Sequence, residues 1–193
     1  MDTTKLDGIA TPKPHPDETG NVVTANEPAD ELQPGMSPVV WAFARAAHSV
    51  MPTELTSADA WKRAVAGAAG SASPGHEEQR AALVIEWMWA TVLPHAQSHA
   101  DRLGYGAAWS KMIGQRDWHE AEAISHDIVD IDLPASQVAY TASFVFAVEG
   151  ADTAELIADI ADSTARIVDG WAAFDPAALL QKLVDVTAAP VVE

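Results

Sequence analysis

Residues 81–93, AALVIEWMWATVL, carry a single charge, Glu86, and two tryptophans, Trp87 and Trp89. A helix that is apolar on nearly every side is one that other segments cover. The run is thirteen residues long, well short of the roughly 20 needed to cross a bilayer, so it predicts the central helix of a soluble core. Everything else in the chain is read as packing around it.

Working outward, Ser73-Pro74 is a helix-start signal, and Glu77 and Glu78 suit the positive end of the helix dipole. Pro94 must kink or end the helix. The pattern resumes as HAQSHADRL and stops at Gly104, a C-cap candidate. Upstream, Ser37 caps a helix with Pro38 in its first position, and that helix runs to about Val50 before Pro52 ends it. Ser57 caps a second helix, carrying Trp61 and Val65, which fades into the small-residue loop 67–75. Downstream, a short helix around residues 107–113 leads to Asp117, the cap of DWHEAEAISHDIVDI.

Residues 137–148 are ambiguous. Val138, Tyr140, Ala142, Phe144, Phe146 and Val148 alternate as a strand does. A strand needs a partner, and only residues 128–133 or Val22-Val23 offer one, in a hairpin of marginal stability. Pro134 and Gly150 bracket a buried helix, and the length of the apolar run favours it. Asp152 then caps an amphipathic helix whose apolar side is Leu156, Ile157, Ile160, Thr164, Ile167, Val168 and Trp171; Asp175-Pro176 starts the last helix. The sum is an all-α, irregular bundle of about seven or eight helices around a buried central helix. One domain is expected over residues 36–188, with a loose end at 189–193. Residues 1–35, acidic and proline-rich with few large apolar side chains, are expected to be a disordered tail.

The chain has 193 residues, 48% of them hydrophobic, enough for one sizeable core. It has no cysteine, which excludes disulfides, thiolate catalysis and cysteine-based zinc sites. The first residues show no secretory pattern, so a cytoplasmic protein is expected. The net charge of −17 is uneven. Residues 1–35 carry two bases and seven acids, residues 36–116 seven and six, and residues 117–193 two and fifteen. Such a field repels nucleic-acid phosphates and anionic membranes and leaves a basic protein as the partner to expect. Nothing in the sequence sets the oligomeric state.

Two groups of residues are candidates for a site. In the helix after Asp152, the acids Asp152, Glu155, Asp159, Asp162 and Asp169 recur at steps of three, four, three and seven, so helical geometry gathers them into one stripe. A stripe of this kind is either a solvated helix face or a docking face for a basic partner. The other group is His95, His99, His119, Glu122 and His126. His95 and His99 are spaced i, i+4; His119, Glu122, His126 and Asp130 form a second stripe, and two such faces can hold a metal. Against this, the second stripe lies opposite Trp118, Ala121, Ile124, Ile128 and Ile131, the side that should face the core. No Glu-x-x-His pair or HExxH helix is present either.

Glu86, amid apolar neighbours, is either a desolvated acid or, as core carboxylates usually are, satisfied by an arginine, an indole or solvent. The seven tryptophans read first as core and second as a pocket lining. No phosphate loop or nucleophile elbow appears, and no cofactor is called for. The sequence therefore points first to a non-enzymatic acidic interaction module: an inhibitor, immunity-type antidote or assembly factor for a basic partner. Its alternatives are a His/carboxylate metal protein or metalloenzyme, and a binder of small apolar ligands in a Trp-lined bundle.

Overall fold

Ser37 accepts a hydrogen bond from the Val40 amide through its hydroxyl and starts α1 (Pro38–Val50), as its pairing with Pro38 predicts. The computed structural model describes residues 28, 30–73, 75–168 and 170–186. The expected tail therefore lies outside the described residues over 1–27 and at 29, as do the loose end 189–193 and Asp169 of the acidic stripe. All ten α-helical segments among the described residues pack together, and no strand occurs there. They are α1, α2 (Thr53–Thr56), α3 (Asp59–Ala68), α4 (Glu77–Trp87), α5 (Gln97–Leu103), α6 (Gly106–Gln115), α7 (Trp118–Ile128), α8 (Leu133–Ser143), α9 (Gly150–Val168) and α10 (Pro176–Asp185). Of these, α2 is a single turn, and α4 and α5 belong to one continuous rod.

Pro94 does not end that rod. The winding loosens to a π turn over Met88–Val92 and tightens to a 3₁₀ turn over Leu93–Ala96 before α5 resumes. A proline has no N–H to give and its ring crowds the preceding turn, so a change of winding on its N-terminal side accommodates it. Within residues 81–93, Val84, Trp87, Met88, Trp89, Val92 and Leu93 are buried. Only Ala82, Glu86 and Ala90 are exposed, on one narrow strip at i, i+4 and i+8.

The rod shares the centre with α9, which lies against α1, α4, α8 and both irregular turns of the rod. The opposite side of the core is closed by α10 on α3. There Gly67 allows a close approach, since a Cβ on it would stand 2.9 Å from Val184 Cγ1. Arg80 bolts this region. It is fully buried, and its guanidinium donates to the carbonyls of Ser71, Leu183 and Val186 and to Glu77 Oε1. Glu77 Oε2 in turn accepts from the Ser37 hydroxyl and the Val39 amide, so one ion pair ties together the ends of α1, α4 and α10.

Several boundaries differ from the sequence reading. The one-turn α2 precedes α3, whose cap is Ala58 rather than Ser57. His76 occupies the cap of α4. Since α9 begins at Gly150, Asp152 sits inside its first turn, where a carboxylate still meets the positive helix end. Asp117 and Asp175 cap as expected, accepting from the amides of His119 and Ala178. Residues 137–147 take helical and turn structure, in α8 and a 3₁₀ turn at Val145–Ala147, and Val148 is extended; the helix is buried on one side only, since Tyr140 and Phe144 are exposed. Among the described residues no helix is long and apolar enough to cross a membrane.

Candidate interaction surface

Asp132 sets the geometry of the α7–α8 hairpin. Its Oδ1 accepts from the Ala135 amide, capping α8, while its Oδ2 accepts from His99 Nε2 of α5 and from the Tyr105 hydroxyl, each at 2.6 Å. Burial alone would raise the pKa of this carboxyl. The hydrogen bonds from Tyr105, the Ala135 amide and His99, with the charge of His99, outweigh burial and hold it below the ordinary range. Tyr105 moves the other way, raised by burial first and then by its bond to Asp132 and that carboxylate's charge. His99 Nδ1 lies 3.3 Å from the Arg102 guanidinium, so both ring nitrogens have a polar neighbour. The trio latches the α7–α8 turn to α5 and α6. Beside it lies a groove of about 430 Å³ lined by His99, Asp132, Gln137, Ser163 and Arg166.

With α8 held this way, Ala135, Val138, Ala139, Ala142 and Val145 point into the core. Helical geometry then puts Leu133, Gln137, Tyr140 and Phe144, at steps of four, three and four, on the opposite side. Leu133 is 54% exposed, Tyr140 49%, Phe144 45% and, just beyond the helix, Phe146 53%. The Tyr140 and Phe144 rings meet edge-on at 4.8 Å. Trp118 of α7 joins Phe144 and Phe146 around a groove of about 340 Å³, with Glu122 on its wall. Of the nine large hydrophobic side chains exposed among the described residues, seven fall between Trp118 and Phe146. The exposed apolar surface is therefore concentrated on this one hairpin.

The hairpin's own charged residues, histidine aside, are all acidic. Residues 117–149 contain seven acids and no lysine or arginine. Asp117 caps α7, Asp132 is buried in the latch and Glu120 pairs with Lys111. Glu122, Asp127, Asp130 and Glu149 remain exposed. On the far side of the α8–α9 connection, a second groove of about 660 Å³ is lined by Glu77, Glu78 and Glu149 over Ala81, Ile85 and Val148.

The residues singled out from sequence fall as follows. The acidic stripe is on the outer side of α9, partly neutralised by the protein's own arginines: Glu155 pairs with Arg45, and Asp162 pairs with Arg166 and accepts from the Trp171 indole. Asp152 and Asp159 are exposed. Partial desolvation, then the charges of Asp162 and Glu155, raise the Asp159 pKa. Among the histidines, His95 donates through Nδ1 to the Thr91 carbonyl at 2.6 Å, His99 belongs to the latch, and His119 lies beside the Trp118 ring. Glu122 and His126 are exposed on α7. Among the described residues no three His, Cys, Asp or Glu side chains gather to hold a metal ion. Glu86 is an exposed partner of Arg116, which grips both its carboxylate oxygens.

Two expectations about α7 need correction. Ala121, Ile124 and Ile128 are buried as predicted, but Trp118 and Ile131, assigned to the same core side, are exposed. Trp118 is in the first turn and Ile131 lies beyond the last, where no helix covers them. The outer stripe of α8 escapes the sequence reading for a related reason: alternation in residues 138–148 bears on strand against helix and not on which side of a helix is covered. The signal was present, because a helix there leaves two apolar seams and the core uses one. No protein-family model, curated protein or solved structure matches this chain.

Proposed function

We propose that this protein is a non-enzymatic, cytoplasmic interaction module that docks on a basic protein partner through the outer face of its α7–α8 hairpin. It acts as an inhibitor, antidote or assembly factor acts, by covering a surface. The observation that carries this reading is an apolar, largely aromatic stripe left in water on a hairpin that contains seven acids and no lysine or arginine. A large apolar side chain kept exposed forgoes roughly 1.5–3 kcal/mol of burial, and contiguous patches of this kind mark interaction sites. Aromatic residues dominate binding hot spots, and a one-signed rim steers an oppositely charged partner into register. The α9 stripe becomes an auxiliary field in this reading, because its own arginines offset Glu155 and Asp162. The same acidity disfavours nucleic acid.

The test is affinity capture from the native cell with the wild-type chain and with a Tyr140→Glu, Phe144→Glu variant of unchanged circular dichroism. The expected result is a basic protein retained by the wild type, released by salt and lost from the variant. Equal retention by both baits removes the hairpin from the account.

A further inference from the structure

We infer that the occupant of this face is an amphipathic helix flanked by lysine or arginine, laid along α8; the inference rests on the docking reading above and names its partner's form. The spacing of the stripe carries the argument. Leu133, Gln137, Tyr140 and Phe144 repeat at four, three and four residues, the interval at which one helix of a coiled coil meets another. Along a helix axis that interval averages about 5 Å, and a partner helix repeats its own seam at the same distance, so contacts stay in step for the three turns of α8. Same-face residues of an extended strand recur every 6.5 Å or so and fall out of step within two contacts. Among the described residues there is also no strand edge to which an extended peptide might add its backbone bonds.

Gln137 is the one polar residue in the seam, and a single polar position of this kind fixes register at some cost in affinity. Flanking charges choose the partner. Glu122 lines the groove beside Phe144 and Phe146, and residues 117–149 supply no base to answer an acid; Arg166, which lines a groove with Gln137, is already paired with Asp162. A second copy of this chain brings the same acids against them. Residues 1–27 bring five acids and two lysines, again a net negative charge. Residues 187–193 bring one acid and no base. Like charges across an interface are unfavourable, so the occupants available within this sequence are disfavoured and a basic helix is favoured.

The experiment uses the full chain and three fluorescent peptides of three heptads each. The first has leucine at the a and d positions with lysine at the flanks. The second has the same composition shuffled so that the leucines share no face. The third replaces lysine by glutamate. Binding is followed by anisotropy and mapped by amide exchange. The expected result is binding of the first peptide, at least about tenfold weaker binding of the second and none of the third. Protection should centre on residues 133–146, and Tyr140→Asp, Phe144→Asp should weaken the first peptide about tenfold or more. The milder Tyr140→Gln, Phe144→Gln pair gives the same readout if the charged variant melts early.

Equal binding of the first two peptides, or protection over α9 instead, overturns the inference in favour of bare charge attraction. Sedimentation showing a dimer that Phe144→Asp dissociates overturns it in favour of a second copy. If cellular capture depends on Tyr140 and Phe144 while no helical peptide binds, the docking face stands and the helical partner is refuted.

Discussion

His99 and Tyr105, from α5 and the cap of α6, share one oxygen of Asp132, each at 2.6 Å, while the other oxygen of that carboxylate caps α8. A single side chain thus fixes where the α7–α8 hairpin stands. Asp132→Ala should cost about 3 kcal/mol, the loss of two charge-assisted hydrogen bonds and a helix cap, measured by urea denaturation at pH 7. The pH dependence has a definite sign. The folded pKa of Asp132 is lowered, so its contribution is complete above the unfolded value near 3.9 and is lost as pH falls through the folded value. The gap between wild type and variant should therefore narrow in acid. Tyr105 acts at the other extreme: its folded pKa is raised, so its contribution holds up to the unfolded value near 10 and fades as pH rises toward the folded one.

Arg80 is the second structural anchor, buried with Glu77 and three carbonyls as its partners. Arg80→Met strands a partly buried carboxylate and three acceptors. The expected loss is about 3–5 kcal/mol, with amide exchange in α10 and around Ser71 accelerating before the rest of the fold. Arg80→Lys should recover only part of it, because one ammonium cannot reproduce the guanidinium fork.

The acidic face of α9 separates two neighbours. Asp159 has a raised folded pKa, so its ionised form opposes folding; that penalty is absent below about pH 3.9 and grows as pH rises through the folded value. Asp159→Asn should raise the melting temperature at pH 7 and leave it unchanged in acid. Asp162 holds Arg166 and the Trp171 indole, so Asp162→Lys should lower stability by about 1 kcal/mol. Reversing both charges is therefore not a neutral change of surface.

The tryptophans show what the sequence made legible. Trp89, in the one stretch apolar on most sides, is 2% exposed, and Trp89→Ala should cost about 3–5 kcal/mol. Trp118 has the same periodic credentials but stands 39% exposed at the start of α7, and Trp118→Ala should change stability by less than about 1 kcal/mol. Periodicity reports which residues share a face; it does not report whether another helix covers that face. Caps at Ser37, Asp117 and Asp175 were legible because their hydrogen bonds are local. The long-range hydrogen bonds of Asp132 and Arg80 were not, since those partners lie 27 to 33 and up to 106 residues away. The outer seam of α8 was hidden because its residue types suit a strand as well as a helix.

The most direct test of the docking face is to place a photo-crosslinking amino acid at Tyr140, at Phe144 and, as a control outside the hairpin, at the exposed Arg63 of α3, and to irradiate living cells. The account predicts an adduct with one basic protein from positions 140 and 144 and none from position 63. No adduct from 140 or 144, or the same adducts from all three positions, contradicts it.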